Sequence, residues 1–151
     1  MDPKLAFGYD YFYVMRTLQL SSSKGADIIA DAATRLLLSL WGFNFIEVDE
    51  ASNKFLDDAE KKNIPDFEMC FDRIISYVKK EKLTTERLLI QTVAIAYMDS
   101  EINKDEASFI KMISDALDLR PSDLKSLVEQ GAQLAEGLNY FGDIYLHHKN
   151  K

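Results

Sequence analysis

The chain has 151 residues, the usual size of one domain, and its apolar share of 47%, with nine Phe, seven Tyr and one Trp, is enough to bury a core and excludes global disorder. A formal charge of −7, from 25 acidic against 18 basic residues, repels a phosphate backbone and argues against a nucleic-acid ligand. The longest apolar runs, such as Leu36-Leu37-Leu38-Ser39-Leu40-Trp41, fall well short of the roughly 20 residues a membrane span needs. The start Met1-Asp2-Pro3-Lys4 lacks the basic and apolar segments of a signal peptide, and a lone Cys70 forms no disulfide within the chain, so a cytoplasmic domain covering 1–151 is expected.

In chain order, the three prolines mark helix starts, because a proline's missing N–H has no helical partner in the first turn. Pro3 opens a helix near 3–18 that carries Tyr9, Tyr11, Phe12 and Tyr13. The loop-like Ser21-Ser22-Ser23-Lys24-Gly25 leads to a helix near 26–41, whose stripe Ile28, Ala32, Leu36, Leu40 has the spacing of a buried face. A helix near 46–61 follows. Pro65 precedes one near 65–80, with the stripe Phe67, Cys70, Phe71, Ile74, Val78. Further helices are expected near 84–98 and 104–117; Pro121 opens one near 121–130, and a last one runs near 132–146. No Asn-Gly or Asp-Gly hairpin turn and no sustained alternation of apolar and polar residues argues for strands. The fold class is therefore all-α, a single domain of about eight helices joined by short connections. A weak internal echo lays Phe12-Tyr13-Val14-Met15 through Leu20 on Ala94-Ile95-Ala96-Tyr97 through Ile102, with a register that drifts towards Trp41-Gly42-Phe43, and points to two pseudo-repeated halves.

The most chemically pointed segment is the acidic turn Asp99-Ser100-Glu101-Ile102-Asn103-Lys104-Asp105-Glu106. Asn103 stands three residues before Glu106, the spacing at which a cap side chain meets the N3 amide and the N3 carboxylate reaches back to the cap amide. Asp105 gains from the positive end of the helix dipole. Asp99 and Glu101 are left over. Oxygen-bearing side chains at 99, 101, 103 and 105 suit a hard cation, but Lys104 stands where an EF-hand loop needs Gly, and Ile110 stands in place of its bidentate Glu. Completion by water, or by Asp27 and Asp31 from another helix, is the expectation for any metal site here. Cys70 lies on an apolar stripe with no His near it in sequence and reads as core. The only histidines, His147 and His148, sit in the tail, and no phosphate loop or nucleophile elbow is present. No enzyme is expected. The alternative, a hydrolytic or redox enzyme with a pocket that motifs do not reveal, requires a deep polar pocket holding Cys70 or converging carboxylates.

The run from Ala94 through Glu106, followed by Phe109-Ile110 and then Leu117-Asp118-Leu119-Arg120-Pro121-Ser122-Asp123-Leu124, resembles the tellurite-resistance TerB family. In that family a helix ends in an Asp-Gly-Glu-Ile-like turn, a Glu begins the next helix, and a short break starts another. Asp99, Glu101 and Glu106 match the acidic positions, with Ser100 in place of Gly. The resemblance implies an all-helical domain of two related halves, divalent metal bound through paired acidic turns, and a place in stress-response or membrane-associated complexes. In the first half, Thr17-Leu18-Gln19-Leu20-Ser21-Ser22-Ser23-Lys24-Gly25 contains no carboxylate, so half of the paired site is missing.

The expected function is that of a non-enzymatic interaction or scaffold domain, with a weak, degenerate site for Ca²⁺ or Mg²⁺ at Asp99, Glu101 and Glu106. The expected partner is a protein. Tyr9, Tyr11, Phe12 and Tyr13, and Trp41, Phe43 and Phe45, are candidate contacts, since adjacent aromatics do not all face one core; a central first helix wrapped on several sides is the favoured account of the first group, and a homodimer is a further alternative.

Overall fold

The computed structural model describes residues 2–20, 28–99 and 101–149, and all of their side chains except those of 28, 99 and 141–149. Among these residues the fold is all-α. Seven α-helices run in the order α1 (Pro3–Leu20), α2 (Ile28–Ser39), α3 (Phe45–Glu60), α4 (Phe67–Val78), α5 (Lys82–Ala96), α6 (Lys104–Ala116) and α7 (Pro121–Lys149), with a 3₁₀ turn at Tyr97–Asp99.

Two helices form the centre because they are apolar around most of their circumference, a pattern that burial on all sides rewards. On α1, Phe7, Tyr9, Tyr11, Phe12, Val14, Met15 and Leu18 are buried, and on α5 so are Leu88, Leu89 and the whole run Gln91–Ala96. The first helix is thus wrapped by α2, α3, α4 and α5, which accounts for its clustered aromatics. Tyr9, Tyr11 and Phe12 are core, and the half-buried Tyr13 donates its hydroxyl to the Pro65 carbonyl at 3.1 Å. Apart from Gln19 Oε1, the buried side-chain polar atoms of the described residues are paired. Gln91 Oε1 accepts both the Tyr11 hydroxyl at 2.7 Å and the Trp41 indole N–H at 2.8 Å, tying α1 and the turn after α2 to α5.

Two sequence expectations need correction. The helices expected near 121–130 and 132–146 are one continuous α7, because the residue between them, Gly131, serves a helix crossing and does not end a helix. A Cβ there would lie 2.5 Å from Val93 Cγ1, and only hydrogen at that position lets α7 lie directly on α5. The second correction concerns α2. Its expected buried stripe is the wrong face: Leu36 and Leu40 are exposed, and Ala30, Ala33, Thr34, Leu37 and Leu38 face the core. With leucines at 36, 37, 38 and 40, the apolar period of α2 fits more than one face. The stripe on α4 holds, with Cys70, Phe71, Ile74 and Val78 buried and Phe67 partly so. Pro65 lies ahead of that helix, whose N-cap is Asp66.

The two halves repeat a device. α3 and α6 each begin with a complete capping box, Asn44 with Glu47 and Asn103 with Glu106. Each also ends on a residue with positive φ, Lys62 at 59° and Asp118 at 56°, whose following amide bonds back into the helix (Asn63 N to Asp58 O, 2.8 Å; Leu119 N to Ser114 O, 3.1 Å). The structural counterpart of the acidic turn is therefore the turn at 40–44. The segment 17–25, where the echo placed it, is the end of α1 followed by residues that lie outside the described ones, as does Asp27.

Candidate functional site

The acidic turn is built by what precedes and follows it. α5 caps at Tyr97, a 3₁₀ turn follows, and Asn139 of α7 donates to the Met98 carbonyl at 2.9 Å, holding the turn against the last helix. At the other end Asn103 Oδ1 accepts the Glu106 amide at 2.8 Å, and Glu106 Oε1 accepts the Asn103 amide at 3.0 Å. Glu106 is buried, at 2% exposure, and satisfies a helix start from inside the fold. Glu101 and Asp105 are exposed. Ser100 and the Asp99 side chain lie outside the described residues. Among the described residues no three His, Cys, Asp or Glu side chains group as a metal cage. Of the carboxylates in view, Glu101 faces water and Glu106 is committed to the cap.

The equivalent turn in the first half has different chemistry. Asn44 Oδ1 accepts the Glu47 amide and Glu47 Oε1 accepts the Asn44 amide, both at 2.9 Å. Against that carboxylate lies the Lys4 ammonium, 2.8 Å from Glu47 Oε2 and 2.8 Å from the Gly42 carbonyl oxygen, to which it donates. A cation is thus already present at this turn, carried on α1. Gly42 takes φ 88°, the left-handed conformation that a side chain resists. The positions after the cap, Lys104 and Asp105 in the second half, are Phe45 and Ile46 in the first, at 87% and 77% exposure.

Those two side chains belong to an apolar corner that sequence reasoning only half found. Phe45 was a candidate contact; Trp41 and Phe43, named with it, pack inward, with Trp41 5.0 Å from the Phe7 ring centroid. Ile46, Leu36 and Leu40 are exposed as well, and Leu36 lines one groove with Phe45. Between α2 and α3 a groove of about 660 Å³ opens, lined by Ala32, Arg35, Leu36, Phe43, Phe45 and Val48 among others. The Asn44-Phe45-Ile46-Glu47 spacing signals a helix start, and tertiary packing alone decides that its first two residues face solvent.

Cys70 is fully buried and free. Burial, with the Asp10 carboxylate beside it, pushes the thiol up to about 11, so it is the protonated, non-nucleophilic form at neutral pH. Arg73 bridges the same carboxylate, with Nη2 2.7 Å from Asp10 Oδ1 and Nε 3.0 Å from Oδ2. A groove of about 560 Å³ between α1 and α4 reaches Asp10 and Arg73, which already neutralise one another. The side chains of His147 and His148 lie outside the described residues. No helix among the described residues is long and apolar enough to cross a membrane.

Residues 30–129, from α2 into α7, match the family model described as tellurite resistance protein TerB. The matched span begins after α1 and contains both capping boxes. No curated protein and no solved structure matches the chain.

Proposed function

The chain belongs to the TerB family, and on that premise we propose that it works by binding another protein and not by turning over a substrate. The observation that carries this reading is the exposed pair Phe45 and Ile46 on a capped helix start, with Phe45 lining a groove beside the exposed Leu36. Single exposed apolar residues are ordinary on a protein surface, but two adjacent large ones this exposed, one of them lining a groove with the exposed Leu36, have the composition of an interface core. The stability cost of leaving them in water is recovered when a partner covers them.

A photo-crosslinking side chain placed at 45 in cells tests this reading. It is expected to give a discrete adduct with another protein, lost when Ile46→Ser is added and absent when the same group is placed at the exposed Lys125. Absence of any adduct above the Lys125 control overturns it.

The acidic turn is, on this reading, a weak divalent-cation site in the second half only, with Asp99 and Glu101 as the ligands that capping does not consume and Glu106 setting the frame. Lys4 supports the asymmetry, since an ammonium against Glu47 disfavours a second cation at the first turn. Calorimetric titration of the whole chain with Ca²⁺ or Mg²⁺ is expected to show weak heat at millimolar metal that Glu101→Gln removes. No heat and no rise in melting temperature at that concentration eliminates the metal clause and leaves the interaction reading intact.

A further inference from the structure

We infer that a single ordered water molecule is built into the fold where α1, α2 and α3 meet, held by the side-chain oxygen of Gln19. A small pocket lies there, lined by Arg16 and Gln19 of α1, Asp31 and Thr34 of α2 and Ser52 of α3, with Phe55 among its apolar walls. Its volume is about 10 Å³, room for one water molecule and for nothing larger. Gln19 is 4% exposed, and its amide nitrogen is committed to α2. Nε2 donates to Thr34 Oγ1 at 2.7 Å and to the Ala30 carbonyl at 3.4 Å, while Thr34 donates its own proton to that carbonyl at 2.8 Å. With its proton on Ala30, Thr34 can only accept from Gln19, and this fixes which way round the carboxamide sits. Oε1 is the atom left over. Among the described residues it is the one buried side-chain nitrogen or oxygen without a hydrogen-bond partner. A carbonyl oxygen at this depth is costly to leave unmet, and folded proteins meet such atoms with a protein donor or with ordered water.

Donors line the same pocket. Ser52 is buried, and its Oγ accepts from Arg35 Nη2 at 2.9 Å, which leaves its own proton for a further acceptor. Arg16 is partly buried and makes no ion pair among the described residues. A water molecule both donates and accepts, so it meets Gln19 Oε1 on one side and the Ser52 hydroxyl or the Arg16 guanidinium on the other. Other occupants fit worse. A metal cation would sit near two guanidinium groups, that of Arg16 in the lining and that of Arg35 on Ser52. An anion would meet the Gln19 oxygen and the Asp31 carboxylate. The water makes the pocket a joint: Gln19 ties α1 to α2 directly through Thr34, and to α3 through the water and Ser52.

A crystal structure of the full chain, at a resolution that shows ordered water, tests this. One water is expected within hydrogen-bond distance of Gln19 Oε1, about 2.7–3.2 Å, and of Ser52 Oγ or an Arg16 nitrogen. A pocket without density overturns the inference, and so does a Gln19 carboxamide turned so that a protein donor meets Oε1. A metal ion there, recognised by oxygen ligands closer than about 2.6 Å, overturns it as well. The same crystals grown from Gln19→Met, which keeps the length of the side chain and removes Oε1, are expected to lose the water while Arg35 stays on Ser52. A water that persists unchanged in that variant shows that Oε1 does not hold it and overturns the role given to Gln19. Should Gln19→Met fail to fold, the density in the parent protein decides alone.

Discussion

A methyl group built on Gly131 would stand 2.5 Å from Val93 Cγ1 and 3.0 Å from the Ile90 carbonyl oxygen. Val93 is fully buried and branched at Cβ, so it has no free rotamer to retreat into. Gly131→Ala must therefore push α7 off α5. Overpacking of this kind costs about 1–3 kcal/mol, set against about 1 kcal/mol of improved helix propensity. The expected net result is a loss of up to about 2 kcal/mol in urea unfolding. Gly137→Ala, on the same helix with nothing within 4 Å of the added methyl, is the control and should stabilise by up to about 1 kcal/mol.

Gln91 is the polar hinge of the core, and its removal should cost more than the loss of either partner. Tyr11→Phe deletes one donor and leaves Gln91 Oε1 bonded to Trp41, an expected cost of about 1 kcal/mol. Gln91→Met strands both the Tyr11 hydroxyl and the Trp41 indole N–H, at about 2–4 kcal/mol. Denaturant midpoints measure both. Since Trp41 is the only tryptophan, its emission should also change in Gln91→Met well below the unfolding transition.

The capping box at Asn103 and Glu106 was readable because capping is a local interaction set by spacing alone, and the structure has both bonds. Its twin at Asn44 and Glu47 had the same spacing. It was missed because the intervening Phe45 and Ile46 look like core, and no local rule says that a helix start will turn them to water. The face of α2 was misread for a related reason: four leucines within five residues give no unique period, and contact with α1 and α5 decides which of them are buried. Gly131 reads locally as a helix end, and only the approach of α5 shows its use. The Lys4–Glu47 contact joins residues far apart in sequence, and no motif announces it.

Arg73 and Asp10 form a two-pronged ion pair in which the carboxylate is 2% exposed and the guanidinium remains about half exposed. Removing only the cation leaves a buried, unpaired charge. Arg73→Met is therefore expected to cost about 2–4 kcal/mol, less than a fully buried pair because water still reaches one side. The double variant Asp10→Asn with Arg73→Met should recover part of that loss. A double-mutant cycle in urea gives the coupling, and additive single effects would show that the pair acts independently.

Glu47 is held below its ordinary value by the Asn44 amide and then by Lys4. A carboxylate with a depressed folded pKa contributes stability that is present above its unfolded value, near 4.5, and lost as pH falls through the folded one. Glu47→Gln keeps an oxygen for the capping bond and removes only the charge. The melting temperature of the parent should thus fall towards that of Glu47→Gln as pH drops from about 5 to about 3. Parallel curves for the two proteins would mean that the charge adds nothing.

Cys70 carries the opposite sign of linkage. Its folded pKa is raised, so its contribution is complete below the unfolded value near 9 and is lost as pH rises towards about 11. Cys70→Ala should accordingly begin its alkaline decline at higher pH than the parent. Tyr9 and Tyr11, raised by burial, still drive a later decline in both proteins. The same burial governs reactivity. The thiolate is the nucleophile, and here it is suppressed both by the raised pKa and by complete enclosure. Native protein at pH 8 should therefore resist iodoacetamide, whereas urea-unfolded protein labels readily. Labelling of the native chain as fast as the unfolded one would show an accessible thiolate, and would revive the case for chemistry at this residue.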